Sequence, residues 1–224
     1  MSSVKKILLL NGSSRKKGTS FSFARTMKII AEESGNTAEI VHAIDYFDGK
    51  KDLNHLADLI SNSDAIAMIA PLYSDTLPYF DIWLLERLAK DYGNVLRGKS
   101  FFALGQCGFP DITRNGPLID ACRFFAEDTD MKWLGGLSYG GGPMINGALL
   151  ENLGKKGEKI TAGFRLAIGN ILSGEIIPSK AQHMITFDVP KILYWPLVVF
   201  LNNIIKKKAR ENGNADFRRK VYLE

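Results

Sequence analysis

Apolar runs and amphipathic stretches alternate along the chain in the rhythm of an α/β protein. Lys5–Leu10 reads as a strand. Ser20–Ser34 reads as a helix with an apolar stripe at Phe23, Met27 and Ile30, closed by Gly35. Ala38–Ile44 is a second strand, Leu53–Ile60 a helix, and Ala65–Ala70 an unbroken apolar strand that stops at Pro71. A helix over Asp81–Leu88, a strand over Ser100–Leu104, a helix over Leu118–Ala126 and a strand over Met131–Leu137 follow. A helix over Lys159–Leu172, ended by Gly174, completes the alternation. The strands lack the apolar–polar alternation of a sheet with one wet face, so both faces are covered, as in a parallel sheet. The pattern predicts an α/β domain built on an open, doubly wound sheet of five parallel strands. In such a sheet ligands gather beyond the carboxyl ends of the strands, at the topological switch point. With the order 2-1-3-4-5, the loops Asn11–Ser20 and Pro71–Tyr79 flank that crevice. The segment Ser179–Glu224 does not repeat the βα pattern; there Pro196 opens a helix with Leu197, Phe200, Leu201, Ile204 and Ile205 on one side, and Gly213 ends it. The expected organisation is one domain over residues 1–176 and a C-terminal helical extension with a basic end over 177–224.

Composition narrows the class. At 46% hydrophobic and 24% charged residues, the 224-residue chain has the balance of a soluble globular protein. No apolar run reaches the roughly 18–20 residues that a membrane span needs. The Met-Ser-Ser-Val-Lys-Lys start lacks the cleavage site of a signal peptide, so a cytoplasmic protein is expected. Cys107 and Cys122 form no C-x-x-C pair and read as reduced thiols; no metal site is expected. The net charge of +5 is concentrated near the end, in Lys206, Lys207, Lys208, Arg210, Arg218, Arg219 and Lys220 against Glu211 and Asp216. The remaining residues sum to zero. A basic tail on a neutral body gives no argument for nucleic-acid binding, and no aromatic interleaves the lysine cluster.

Three loops carry candidate chemistry. After the first strand comes Asn11-Gly12-Ser13-Ser14-Arg15-Lys16-Lys17-Gly18-Thr19-Ser20. It directs backbone N–H groups, hydroxyls and one guanidinium toward a small volume with a helix N-terminus behind it, which suits a phosphate group. It is not a Walker A loop: five residues rather than four stand between Gly12 and Gly18, and no lysine stands where β- and γ-phosphates need it. G-x-G-x-x-G is also absent. The hydroxyl-rich composition suits a monophosphate bound without metal, as in flavin mononucleotide (FMN); the plainer alternative is a solvated loop with a Ser/Thr helix cap. The second loop, Pro71-Leu72-Tyr73-Ser74-Asp75-Thr76-Leu77-Pro78, is stiffened by two prolines. Tyr73 offers an aromatic face, and backbone amides around Leu72–Ser74 can reach the polar edge of an isoalloxazine ring. The alternative is a rigid connection with Tyr73 as a packing residue. The third loop, Gly105-Gln106-Cys107-Gly108, has glycines that permit close approach to a flat ligand, with Gln106 and Cys107 either touching it or buried in the strand end. The run Gly135-Gly136…Gly140-Gly141-Gly142 suggests another close-approach loop, but a plain flexible connection is the favoured reading.

Together these segments resemble the flavodoxin-like NADPH-dependent FMN reductase family, including its iron–sulfur flavoprotein branch, over roughly residues 4–140. Gly12-Ser13-Ser14-Arg15-Lys16-Lys17-Gly18-Thr19-Ser20 is similar to the family's G-S-x-R-x-x-G-x-S/T loop, and Pro71-Leu72-Tyr73 with Pro78 to its P-x-Y…P segment. The resemblance implies that Ser13, Arg15, Thr19 and Ser20 hold the FMN phosphate. The full cofactor-binding set expected is Ser13, Ser14, Arg15, Thr19, Ser20, Pro71, Leu72, Tyr73, Ser74, Gly105, Gln106 and Gly108. Where family members often carry a Lys after the second proline, this chain has Tyr79-Phe80-Asp81-Ile82-Trp83, and the branch's cysteine cluster is missing, so no cluster is expected. The implied activity is hydride transfer from NAD(P)H through FMN to a small acceptor such as a flavin or quinone, with no compulsory catalytic side chain. The alternative is an FMN electron carrier without NAD(P)H activity. None of His42, His55 and His183 lies in the three loops, and none is assigned a role. The resemblance also implies a homodimer, while the basic tail is expected to be a solvated helix end rather than a membrane contact.

Overall fold

The computed structural model describes residues 5–186, 192, 194–211 and 213. It forms two compact units, Met1–Phe187 and Asp188–Glu224. The first holds a five-stranded sheet of order β2-β1-β3-β4-β5, every pair parallel, made of β1 (Lys6–Asn11), β2 (Thr37–His42), β3 (Ala65–Pro71), β4 (Ser100–Gln106) and β5 (Lys132–Tyr139). Its helices are α1 (Thr19–Glu33), α2 (Ala43–Phe47), α3 (Leu53–Ser61), α4 (Tyr79–Leu96), α5 (Gly116–Asp128), α6 (Gly154–Leu172) and α7 (Ser179–Ile185). This is the flavodoxin-like architecture expected.

The strands are apolar throughout because successive residues feed two different cores. Ile7, Leu9, Ala67, Ile69, Phe102 and Leu104 pack under α1 and α6 with Phe23, Met27, Ile30, Phe164 and Ile168. Their neighbours Leu8, Leu10, Ile66, Met68, Phe101 and Ala103 pack under α3, α4 and α5 with Leu56, Ile60, Leu84, Leu88 and Leu118. A period of two along each strand thus appears in sequence as no alternation at all.

The first unit extends past the expected 176/177 junction, to residue 187. The reason lies at the edge of the sheet. The N–H of Ile177 donates to the Leu134 carbonyl at 2.8 Å. The Gln182 side chain accepts from the Ser138 N–H and donates to the Ser138 carbonyl, both at 2.8 Å. Backbone groups of the edge strand β5 are thereby satisfied by this segment, as an unprotected edge requires. Helix α7 was not legible because it spans only seven residues, of which Ala181 and Ile185 are buried.

The second unit contains α8 (Tyr194–Glu211), which begins two residues before Pro196. Gly213 follows it at φ +80°.

Candidate functional site

The first loop is built around Asn11, the last residue of β1, which is fully buried. Its amide nitrogen lies 2.9 Å from His42 Nδ1 at the end of β2, and its oxygen is 3.4 Å from the Ser13 nitrogen. Burial first, then the Lys16 ammonium, hold the His42 pKa below its ordinary value; Asp45 pulls the other way, and Lys51 lowers it further. A neutral ring with a bare Nδ1 accepts the Asn11 proton, so His42 braces the loop from behind. The N–H of Gly12 donates to the Ile69 carbonyl at 2.9 Å, tying the loop to β3. Ser13 Oγ accepts from the Arg15 N–H at 3.2 Å, which leaves its own proton to donate. The Gly18 N–H closes the loop on the Arg15 carbonyl at 3.1 Å.

Helix α1 then starts with no side chain capping its N-terminus. Its first-turn N–H groups therefore point out of the helix without a partner from a capping residue, at the positive end of a fifteen-residue dipole. Ser14, Arg15, Lys16 and Lys17 are exposed. Lys16 pairs with the buried Asp45 of α2 at 2.5 Å, whereas the Arg15 guanidinium makes no ion pair among the described residues. Two expected phosphate ligands sit differently. The Thr19 hydroxyl donates to the Gly142 carbonyl at 2.8 Å, and Ser20 is fully buried with its Oγ unpartnered among the described residues. The Thr19 hydroxyl is thereby engaged, so Thr19 offers an anion its backbone N–H, whereas the Ser20 hydroxyl keeps its proton free to donate.

The second loop is a two-residue hairpin. Tyr73 and Thr76 exchange both backbone hydrogen bonds, at 2.9 and 3.1 Å, and Ser74 and Asp75 between them have φ of +48° and +63°. These are the positive φ values of a type I′ turn, held here by non-glycine residues. Pro71 is buried at the end of β3, Leu72 is half-buried, and Tyr73 is exposed at 43%. The expectation that amides from Leu72 to Ser74 face a ring is corrected in part. The Leu72 N–H donates to the Gln106 carbonyl and that of Tyr73 to Thr76, so only the Ser74 N–H is without a partner among the described residues.

The third loop is zipped to the loop after β5. Cys107 N–H donates to the Tyr139 carbonyl at 3.0 Å, and Gly142 N–H to the Cys107 carbonyl at 2.8 Å. Gly141 N–H donates to the Phe109 carbonyl at 2.9 Å. Gln106 is half-buried, with its Oε1 against Gly142, and Gly108 is exposed. Gly105 is buried, and a Cβ there meets Leu118 and Asn115, so its close approach serves α5 rather than the crevice. Cys107 is buried, and burial pushes its thiol pKa up.

The Gly140-Gly141-Gly142 end of the glycine run is a close-approach segment rather than the flexible connection favoured from sequence, and the packing continues to residue 148. A Cβ on Gly140 would run into the Pro110 carbonyl, one on Gly142 into Gln106, and one on Gly147 into the Lys17 carbonyl. Ser22 Oγ donates to the Ala148 carbonyl at 2.5 Å. The segment packs directly on the first loop and the start of α1; the Gly140-Gly141-Gly142 run was its signal. Asp81 was also missed as a site element. It is fully buried in the first turn of α4, with both carboxylate oxygens unpartnered among the described residues, and lies so close behind Gly12 that a Cβ there would collide with it. Burial drives its pKa well above the ordinary carboxylate range. Burial thus disfavours a negative charge behind the loop, which lessens the repulsion of an anion in front of it.

The fold is flavodoxin-like, with the loops after β1 and β3 at its switch point; among the described residues there is no cluster of His, Cys, Asp or Glu able to bind a metal. Residues 5–109 match the family described as NADPH-dependent FMN reductase. No curated protein matches. Among solved structures, a flavone reductase shares 15% identity at a TM-score of 0.58, covering 83% of this chain and 72% of its own. The general stress protein 14 of Treponema denticola, solved in complex with FMN, shares 13% identity at 0.51, covering 73% and 99%. The Trp repressor binding protein of Bacillus subtilis shares 17% identity at 0.50, covering 60% and 84%. At these identities the likeness is one of fold.

Proposed function

We propose that the protein is an FMN-dependent NAD(P)H oxidoreductase that passes reducing equivalents from a nicotinamide to a small acceptor such as a flavin or quinone. The observation that carries this is the uncapped N-terminus of α1, fronted by the Ser13 hydroxyl and by Arg15, which makes no ion pair among the described residues. Backbone N–H groups, hydroxyl protons and a planar cation match a phosphate monoester without a bridging metal. The family match and the FMN complex of the Treponema protein support the choice of FMN. Ser13, Ser14 and Arg15, with the N–H groups of Thr19 and Ser20, hold the phosphate. The 73–76 hairpin presents the Tyr73 ring and the Ser74 N–H to the flavin from a turn that loses little freedom on binding.

Bound FMN would supply the hydride-accepting centre, and the chain's residues position it. Burial disfavours the charged form of Asp81 and so lessens its repulsion of the phosphate, and His42 through Asn11 fixes the loop's entry. The test is a Ser13→Ala/Arg15→Ala double variant. Losing charge-assisted hydrogen bonds worth roughly 1.5–3 kcal/mol predicts at least about tenfold weaker FMN binding at unchanged melting temperature. A double variant that keeps its flavin through gel filtration refutes the cradle.

A further inference from the structure

Helix α8 has an unusual distribution of side chains. Trp195, Val198, Val199, Phe200, Ile204 and Ile205 are exposed, from 37% for Ile204 to 76% for Trp195. Val198, Val199 and Phe200 are consecutive, so at about 100° per residue they spread exposed apolar surface over about 200° of the circumference, beyond the single stripe that holds Phe200, Ile204 and Ile205. A helix that packs on a single protein face shows an apolar stripe with a polar back. This helix is instead divided along its length: apolar in its first half, and basic in its last turns through Lys206, Lys207, Lys208 and Arg210. The sequence continues with Arg218, Arg219 and Lys220, and this segment carries the whole net charge of the chain. No helix among the described residues is long and apolar enough to cross a membrane.

We propose that α8 docks on an anionic lipid bilayer, its apolar half sunk in the headgroup–acyl boundary and its lysines among the lipid phosphates. A lipid interface can surround an apolar segment on more sides than one protein face can, and anionic headgroups complement the basic end. The stretch from residue 194 to 205, apolar but for Asn202 and Asn203, is about 18 Å long at 1.5 Å per residue, enough to lie in one leaflet but short of the roughly 30 Å hydrocarbon core. Lysine stems extend the apolar surface while their ammonium groups stay in water. The inference is independent of the flavin reading.

The experiment is flotation of the full chain with three-to-one phosphatidylcholine–phosphatidylglycerol vesicles, and with phosphatidylcholine alone. The wild-type protein floats with the anionic vesicles, is released by high salt, and stays behind with the neutral ones. Lys206→Glu/Lys207→Glu/Lys208→Glu and, separately, Trp195→Ser/Phe200→Ser each weaken the partition at least about tenfold, and both variants keep the wild-type circular dichroism. Wild-type protein that fails to float, or that floats equally with neutral vesicles, overturns the proposal. So does sedimentation showing a lipid-free oligomer that Trp195→Ser/Phe200→Ser dissociates while no lipid binding is seen, because α8 is then a contact between copies of this chain.

Discussion

Two residues behind the phosphate loop behave unlike their surface counterparts. Asp81 has no exposed surface and no partner among the described residues, so its charged form is penalised and its folded pKa lies well above the unfolded value. The folded state thus binds more protons than the unfolded state across the interval between the two values. Stability from this group is complete below the ordinary carboxylate range near pH 4 and is lost as pH rises through the folded pKa. Asp81→Asn removes that dependence. The variant is expected to melt higher than wild type at pH 8, with the advantage shrinking toward pH 5, as read by thermal unfolding across pH. Neither this role nor that of Asn11 was legible in the sequence. An Asp in an amphipathic helix reads as solvated, and only the docking of α4 behind Gly12 reveals otherwise. Arg15 and Ser13 were legible because a hydroxyl-and-arginine loop between an apolar strand and a helix has few other uses.

At the scale of elements, the cradle is a composite. The β1–α1 loop carries the donors, but the loop after β5 locks them in place through Thr19, Ser22 and the carbonyl of Lys17. Gly147 is the tightest test of that packing. It adopts φ +79°, and a Cβ there would collide with the Lys17 carbonyl. Gly147→Ala therefore costs about 2–3 kcal/mol, combining left-handed strain with backbone displacement. Denaturant titration measures the loss, and FMN binding should weaken with it because the phosphate loop is what moves. The strands and long helices were readable from periodicity. The β5 loop was not, because a glycine run signals freedom and close packing equally well; its neighbours in space decide, and they lie more than a hundred residues away in sequence. The 73–76 hairpin was hidden for another reason: Ser-Asp is an uncommon pair at two positive φ values.

At the scale of the whole molecule, the first unit carries both cores, the protected edge of β5 and every residue of the cradle. A chain ending at residue 187 is expected to fold with an unchanged melting temperature and to keep FMN affinity, as differential scanning calorimetry and a flavin titration would measure. The sheet order followed from sequence because apolar strands between helices leave few topologies, whereas the domain boundary did not, because the side chain of Gln182 substitutes for backbone pairing. The central claim is that amides, hydroxyls and one arginine at the switch point grip FMN for reduction by a nicotinamide. Its most direct test is an anaerobic absorbance titration of the purified protein, first with FMN and then with NADPH and NADH. The account predicts a perturbed flavin band as FMN binds and bleaching of that band by at least one nicotinamide. No uptake of FMN contradicts the cradle; uptake without bleaching by either nucleotide contradicts the reductase.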